Sequence, residues 1–157
     1  MVLGRTGGEN TEIKFEDLGL NKEREYFVFE FWSRKLLGTF SGAFPLGEVD
    51  PKFNCQVFCI RERQAHPQLL ATNRHITGGG VDLVDVRWEG NRLSGRSRIV
   101  AGDVYELFIS IPPGFAFDQV ECAGAAVLKT QRDGTVLLIS LKSDQSREVA
   151  WTVSFRR

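Results

Sequence analysis

The chain has 157 residues, enough for one domain whose core needs no covalent staples. Its 20 lysines and arginines balance 20 acidic residues, which excludes the basic footprint of a nucleic-acid binder. No apolar run approaches the ~20 residues of a membrane-crossing helix, so neither nucleic acid nor membrane is an expected partner.

Residues 1–12 carry no apolar segment of secretory type and read as a flexible lead-in. A single β-sandwich domain is expected over 13–157. Residues 16–24 have room for one helical turn at most. Residues 25–32 (EYFVFEFW) form an aromatic strand, and 36–44 follow after a hairpin-length gap. Residues 55–62 set Cys55, Val57 and Cys59 against Gln56, Phe58 and Ile60. In 81–89, Val84, Val86 and Trp88 alternate with Asp85, Arg87 and Glu89. After the turn at 89–91, Leu93, Gly95, Ser97 and Ile99 alternate with Ser94, Arg96 and Arg98. Residues 104–112 place Tyr105, Leu107, Ile109 and Ile111 on one face. Residues 126–132 and 135–142 are joined by Asp133-Gly134, a hairpin signal. The last strand, 147–155, aligns Val149, Trp151, Val153 and Phe155. These segments predict an all-β, two-sheet antiparallel sandwich of about 10–12 short strands.

Three cysteines, Cys55, Cys59 and Cys122, do not make a disulfide framework. Cys55 and Cys59 lie roughly 13 Å apart along a strand. That exceeds the about 4.4–6.8 Å between the Cα atoms of a disulfide, so buried free thiols are expected. No CxxC or HxxxH spacing points to zinc, and no cofactor is expected.

Polar chemistry concentrates in residues 66–88, HPQLLATNRHITGGGVDLVDVRW. Asp82 and Asp85, three apart in a strand, point to opposite faces and read as solvated carboxylates. His66 is held extended by Pro67, and His75 follows Arg74. Neither has a nucleophile elbow beside it, so both read as members of a polar network or an interface. Gly78-Gly79-Gly80 lacks the Lys-Ser/Thr and the helix of a phosphate cradle and reads as a bend. Trp88 and Trp151 share faces with core valines. Trp32 is the one tryptophan offered as a ligand platform. Tyr26 lies roughly 20 Å along the strand from it, too far to clamp the same sugar.

Residues 17–44 (DLGL…YFVFEFWSRKLLGTFSGAF) and 66–88 together resemble the C-terminal β-sandwich of α-galactosidase-like glycoside hydrolases of the melibiase clan. The likeness runs from about residue 16 to residue 155 and lies in strand words, not in a catalytic signature. In that family the catalytic aspartates sit on a preceding (β/α)8 barrel. Such a barrel takes about 250 residues, so no catalytic residue carries over onto this chain. The resemblance implies a non-catalytic accessory domain that packs against the barrel of a parent enzyme. Trp32, His66, Asn73, Arg74 and His75 are then the interface or ligand-binding candidates, and 25–44 supplies an apolar docking patch. Left uncovered, that apolar face would favour self-association. The alternative is a carbohydrate-binding module with an aromatic sugar-binding surface.

Overall fold

The structure is a computed structural model that describes residues 2–4, 12–48 and 51–157. Most of the expected lead-in lies outside the described residues. The described residues form 14 strands and one short 3-10 turn, and every strand pairing is antiparallel. The all-β class expected from period-2 patterning is what the chain adopts. Two compact units divide the span read as one domain, the first ending at Arg63 and the second starting at Gln64.

The first unit contains β1 (Val2–Gly4), β2 (Glu12–Lys14), the turn Glu16–Leu18, β3 (Tyr26–Glu30), β4 (Lys35–Phe40), β5 (Ala43–Pro45) and β6 (Gln56–Glu62). One sheet has the order β1-β6-β3-β4, and β2 pairs with β5 in a second. Aromatic residues fill its core. Phe15, Tyr26, Val28, Phe44 and Phe58 are buried together, with Phe15 and Tyr26 ring centroids 4.8 Å apart. β3 is buried along its whole length. The strand part of the apolar stretch offered for docking is therefore covered, leaving Phe31, Trp32, Leu36, Leu37 and Phe40 as its partly or fully exposed large side chains. The strand read over 25–32 ends at Glu30, because the carboxylate of Glu30 turns back. It accepts the Ser33 N–H at 2.6 Å and the Val57 N–H at 3.4 Å, which closes the turn at 31–34.

The second unit holds β7 (Gln68–Thr72), β8 (Leu83–Glu89), β9 (Arg92–Ile99), β10 (Val104–Ser110), β11 (Ala116–Ala123), β12 (Ala126–Asp133), β13 (Val136–Lys142) and β14 (Arg147–Arg156). They form two four-stranded sheets, β12-β13-β10-β7 and β11-β14-β9-β8. The inner faces meet as the alternation predicts. Leu107, Ile109, Leu137, Ile139 and Leu141 from the first sheet join Leu93, Ile99, Val149, Trp151, Val153 and Phe155 from the second. Trp151 lies across from Gly95 in the β9–β14 register, and a Cβ at Gly95 would come within 2.4 Å of its ring. Gly95 thus lets the largest core side chain lie against the opposite backbone.

The β12–β13 turn is Gly134-Thr135, one residue later than the expected Asp133-Gly134, since Asp133 pairs with Val136. The β8–β9 turn uses positive φ at both Gly90 (56°) and Asn91 (62°), the geometry that matches strand twist. The edge strand β12 is exposed throughout. Its exposed Lys129 and Arg132 place charge along this edge, which discourages pairing with another chain. Two strands of this unit go beyond the expected set: β7, inside the stretch read as a polar connection, and β11.

Candidate functional site

The buried polar centre of the second unit is built from four strands and one loop. Thr72 ends β7, Ser97 lies on β9, Tyr105 on β10, Trp151 on β14, and Asp82 closes the loop that enters β8. The Thr72 hydroxyl donates to Asp82 Oδ2 at 2.8 Å, and the Tyr105 hydroxyl reaches the same oxygen at 2.6 Å. Tyr105 also meets Ser97 Oγ at 3.1 Å, and Trp151 Nε1 donates to Ser97 Oγ at 2.9 Å. A phenol has one proton. The shorter contact, to a carboxylate, takes it, so at the longer contact Ser97 is the donor. Every proton in the cluster then runs one way: Trp151 to Ser97, Ser97 to Tyr105, Tyr105 to Asp82, with Thr72 joining at the same carboxylate.

Asp82 is only 3% exposed, which corrects the expectation of a solvated carboxylate. Asp82 precedes β8, whereas Asp85 lies on it. The loop's shape puts Asp82 inside. Gly78 and Gly79 take φ of 58° and 112°, and a Cβ at Gly79 would come within 2.3 Å of Leu83. The Asp82 carbonyl, in turn, accepts the Arg98 N–H at 2.8 Å. Burial and the adjacent Asp82 carboxylate push the Tyr105 hydroxyl well above its ordinary range. All five side chains of the cluster are buried. Its chemistry is to orient and rigidify.

Asn73, Arg74 and His75 come together where β7 leaves the sheet. Asn73 extends the β7–β10 ladder with its side chain. Its Nδ2 donates to the Val104 carbonyl at 3.0 Å, and its Oδ1 accepts the Glu106 N–H at 2.8 Å. Arg74 pairs with Asp103 at 2.7 Å. His75 Nδ1 accepts the Thr77 N–H at 3.3 Å, which shapes the turn into the glycines. His66 lies elsewhere in the unit, its ring stacked on Trp88 with centroids 4.9 Å apart and planes 1° from parallel. Trp88 also meets Phe115 and Phe155, whereas Val86, expected on the same core face, is exposed. The hydrogen bonds and ring contacts of these four candidates are all within their own unit.

Trp32 belongs to the first unit. Phe53 stacks on it at 4.3 Å and 6°, and Phe31 meets it edge-on at 5.1 Å. One ring face is thus occupied, which weakens it as a platform for a sugar ring.

Three further features bear on reactivity. Burial pushes the Cys59 and Cys122 thiols up, away from the thiolate that a nucleophile needs. No group of His, Cys, Asp and Glu able to hold a metal ion occurs among the described residues. On the exposed side of β8 and β9, Arg96 binds Asp85 at 2.7 Å and Glu148 at 2.9 Å, and its guanidinium holds the Asp85 carboxyl below the usual range.

No protein-family model, curated protein or solved structure matches the chain.

Proposed function

We propose that this chain is a non-catalytic accessory region of an α-galactosidase-like glycoside hydrolase, and that it works by packing against a (β/α)8 catalytic barrel. The resemblance of residues 17–44 and 66–88 motivates the reading. The observation that supports it best is the use made of the buried carboxylates. Glu30 and Asp82 are the only acidic residues among the described ones that are deeply buried, and each accepts hydrogen bonds from its own unit. Glycoside hydrolysis needs two carboxyl groups facing a shared space about 5–9.5 Å across. Here both Glu30 oxygens and Asp82 Oδ2 accept hydrogen bonds within the fold, while Asp82 Oδ1 is buried without a partner among the described residues.

The test has two arms. The purified chain, incubated with an aryl α-galactoside, is expected to release no phenol above buffer. The parent enzyme lacking residues 12–157 is expected to melt at a lower temperature than the intact enzyme. Turnover by the chain alone would refute the non-catalytic assignment. A barrel whose melting is unchanged by the deletion would refute the packing role.

A further inference from the structure

At one end of the second unit, a cleft of about 590 Å³ opens between the β11–β12 turn and the β13–β14 loop. Its size is in the range of small-ligand sites, roughly 300–1,000 Å³. Lys142 and Arg147 line it, with Asp144 and Gln145 beside them and Leu128 along one wall. Neither Lys142 nor Arg147 has an ion-pair partner among the described residues. By contrast Arg74, Arg96 and Arg156 are each matched to a carboxylate.

The cleft is held in shape without the help of those cations. The Ser143 carbonyl accepts the Gly102 N–H at 2.9 Å, and Ser146 Oγ accepts the Ala101 N–H at 3.0 Å. The Gln145 N–H donates to Ser143 Oγ at 3.2 Å, which tightens the same loop. On the other wall Gly124 has φ of 89°, and a Cβ there would lie 3.4 Å from Arg147 Nε. The bare backbone of that turn is what allows the guanidinium to rest against it.

The lining selects a chemistry. Two unpaired cations against one carboxylate favour an anion, and the planar fork of Arg147 suits a carboxylate. Asp144 opposes a multiply charged group such as a phosphate, while it and Gln145 accept hydrogen bonds from hydroxyls. Leu128, 52% exposed, gives an apolar shelf for the C–H face of a ring. We infer that this cleft is a binding site for a carboxylate-bearing sugar of the uronic-acid class. The carboxylate lies between Lys142 and Arg147, the hydroxyls face Asp144 and Gln145, and the ring rests on Leu128.

The inference goes beyond the proposed function and uses only the residues of the second unit. Galacturonate and galactose differ at one carbon, a carboxylate in place of a hydroxymethyl, and so isolate the recognition element. In an amide NMR titration of the whole chain, galacturonate is expected to give saturable shifts at Gly124, Leu128 and Gln145. Galactose and sulfate at equal concentration are expected to give far smaller ones. Lys142→Met, at a half-buried position, and Arg147→Met, at an exposed one, are each expected to weaken galacturonate binding by about tenfold or more while the remaining spectrum is preserved. Absence of shifts with galacturonate overturns the inference. So does an equal response to galactose, which would mean the carboxylate is not read, or to sulfate, which would mean any anion suffices. None of these failures touches the accessory-region reading, which is decided by hydrolysis and barrel melting.

Discussion

Tyr105→Phe is the sharpest perturbation of the buried cluster, because it removes one oxygen and leaves the ring in place. That oxygen is the junction of the network. Without it, Asp82 Oδ2 keeps only Thr72 as a donor, and the Ser97 hydroxyl loses its acceptor. A hydrogen bond to a charged group contributes about 1.5–3 kcal/mol, and the loss falls where water does not compensate. Thr72, Ser97 and Tyr105 are at most 1% exposed, so the upper part of that range, about 2–3 kcal/mol, is expected. In a chain of this size each kcal/mol moves the melting temperature by roughly 2–4 °C, so a fall of about 4–12 °C follows. Urea unfolding followed by tryptophan fluorescence measures the free energy, and a thermal scan measures the shift.

The same variant carries a pH signature. Tyr105 has a raised pKa in the folded state, so its contribution is complete below the ordinary tyrosine value of 10.0. It is lost as pH rises from there towards the folded-state value, because the unfolded chain gives up the proton first. The wild type should lose stability above about pH 10, at up to about 1.4 kcal/mol per pH unit, and Tyr105→Phe should lose that part of the slope. A variant within about 0.5 kcal/mol of wild type, or one with the wild-type alkaline slope, would refute the assigned role of this hydroxyl.

Four further variants follow from individual contacts. Asn73→Ala removes both side-chain bonds of the ladder extension and is expected to cost about 1–3 kcal/mol in urea unfolding. Arg74→Ala breaks an ion pair with a solvent-exposed partner and should cost no more than about 1 kcal/mol, so the reverse ranking would show that Arg74, not Asn73, anchors the loop. Gly95→Ala forces a Cβ to within 2.4 Å of Trp151 and 2.8 Å of the Asp85 carbonyl. It should destabilise by roughly 1–3 kcal/mol or prevent folding, and a variant with wild-type melting and near-ultraviolet dichroism would contradict the packing described. Asp85 has its pKa lowered by Arg96, so its stabilisation is present above the ordinary value of 3.8 and fades as pH falls below it. Asp85→Asn should flatten that acid limb in a pH series of melts, and 1 M salt should flatten it in the wild type, since the pair is exposed.

The strands that were legible in the sequence are those with one face in the core and one in solvent. β9 and β14 alternate without interruption, and the residues placed inward by period 2 are the buried ones, whereas β10 also buries Phe108 and Ser110 on its other face. β7 is buried at all five residues, so Gln68–Thr72 has no polar face to set the period, and its flanking His-Pro and Asn-Arg make it look like loop. β11 fails for another reason. A bulge between Phe117 and Gln119 shifts the phase, so Phe117, Val120 and Cys122 share the inner face at uneven spacing. An alternation count cannot follow a strand that changes phase midway.

Residues 66–88 show the same limit for a site. Their composition marks a place where polar groups gather, but not which of them is buried. Asp82 and Asp85 are chemically identical and three positions apart. What separates them is that Asp82 meets Thr72, 10 residues away, and Tyr105, 23 residues away, whereas Asp85 meets Arg96 across an exposed strand pair. Those partners are assigned by strand order, which places β7 beside β10 and β8 beside β9. The loop from β7 to β8 crosses from one sheet to the other, and Asp82 is the residue at which it re-enters the core. Its carboxylate takes donors from β7 and β10 of one sheet and its backbone carbonyl takes the Arg98 N–H from β9 of the other, so this one residue ties the two sheets together.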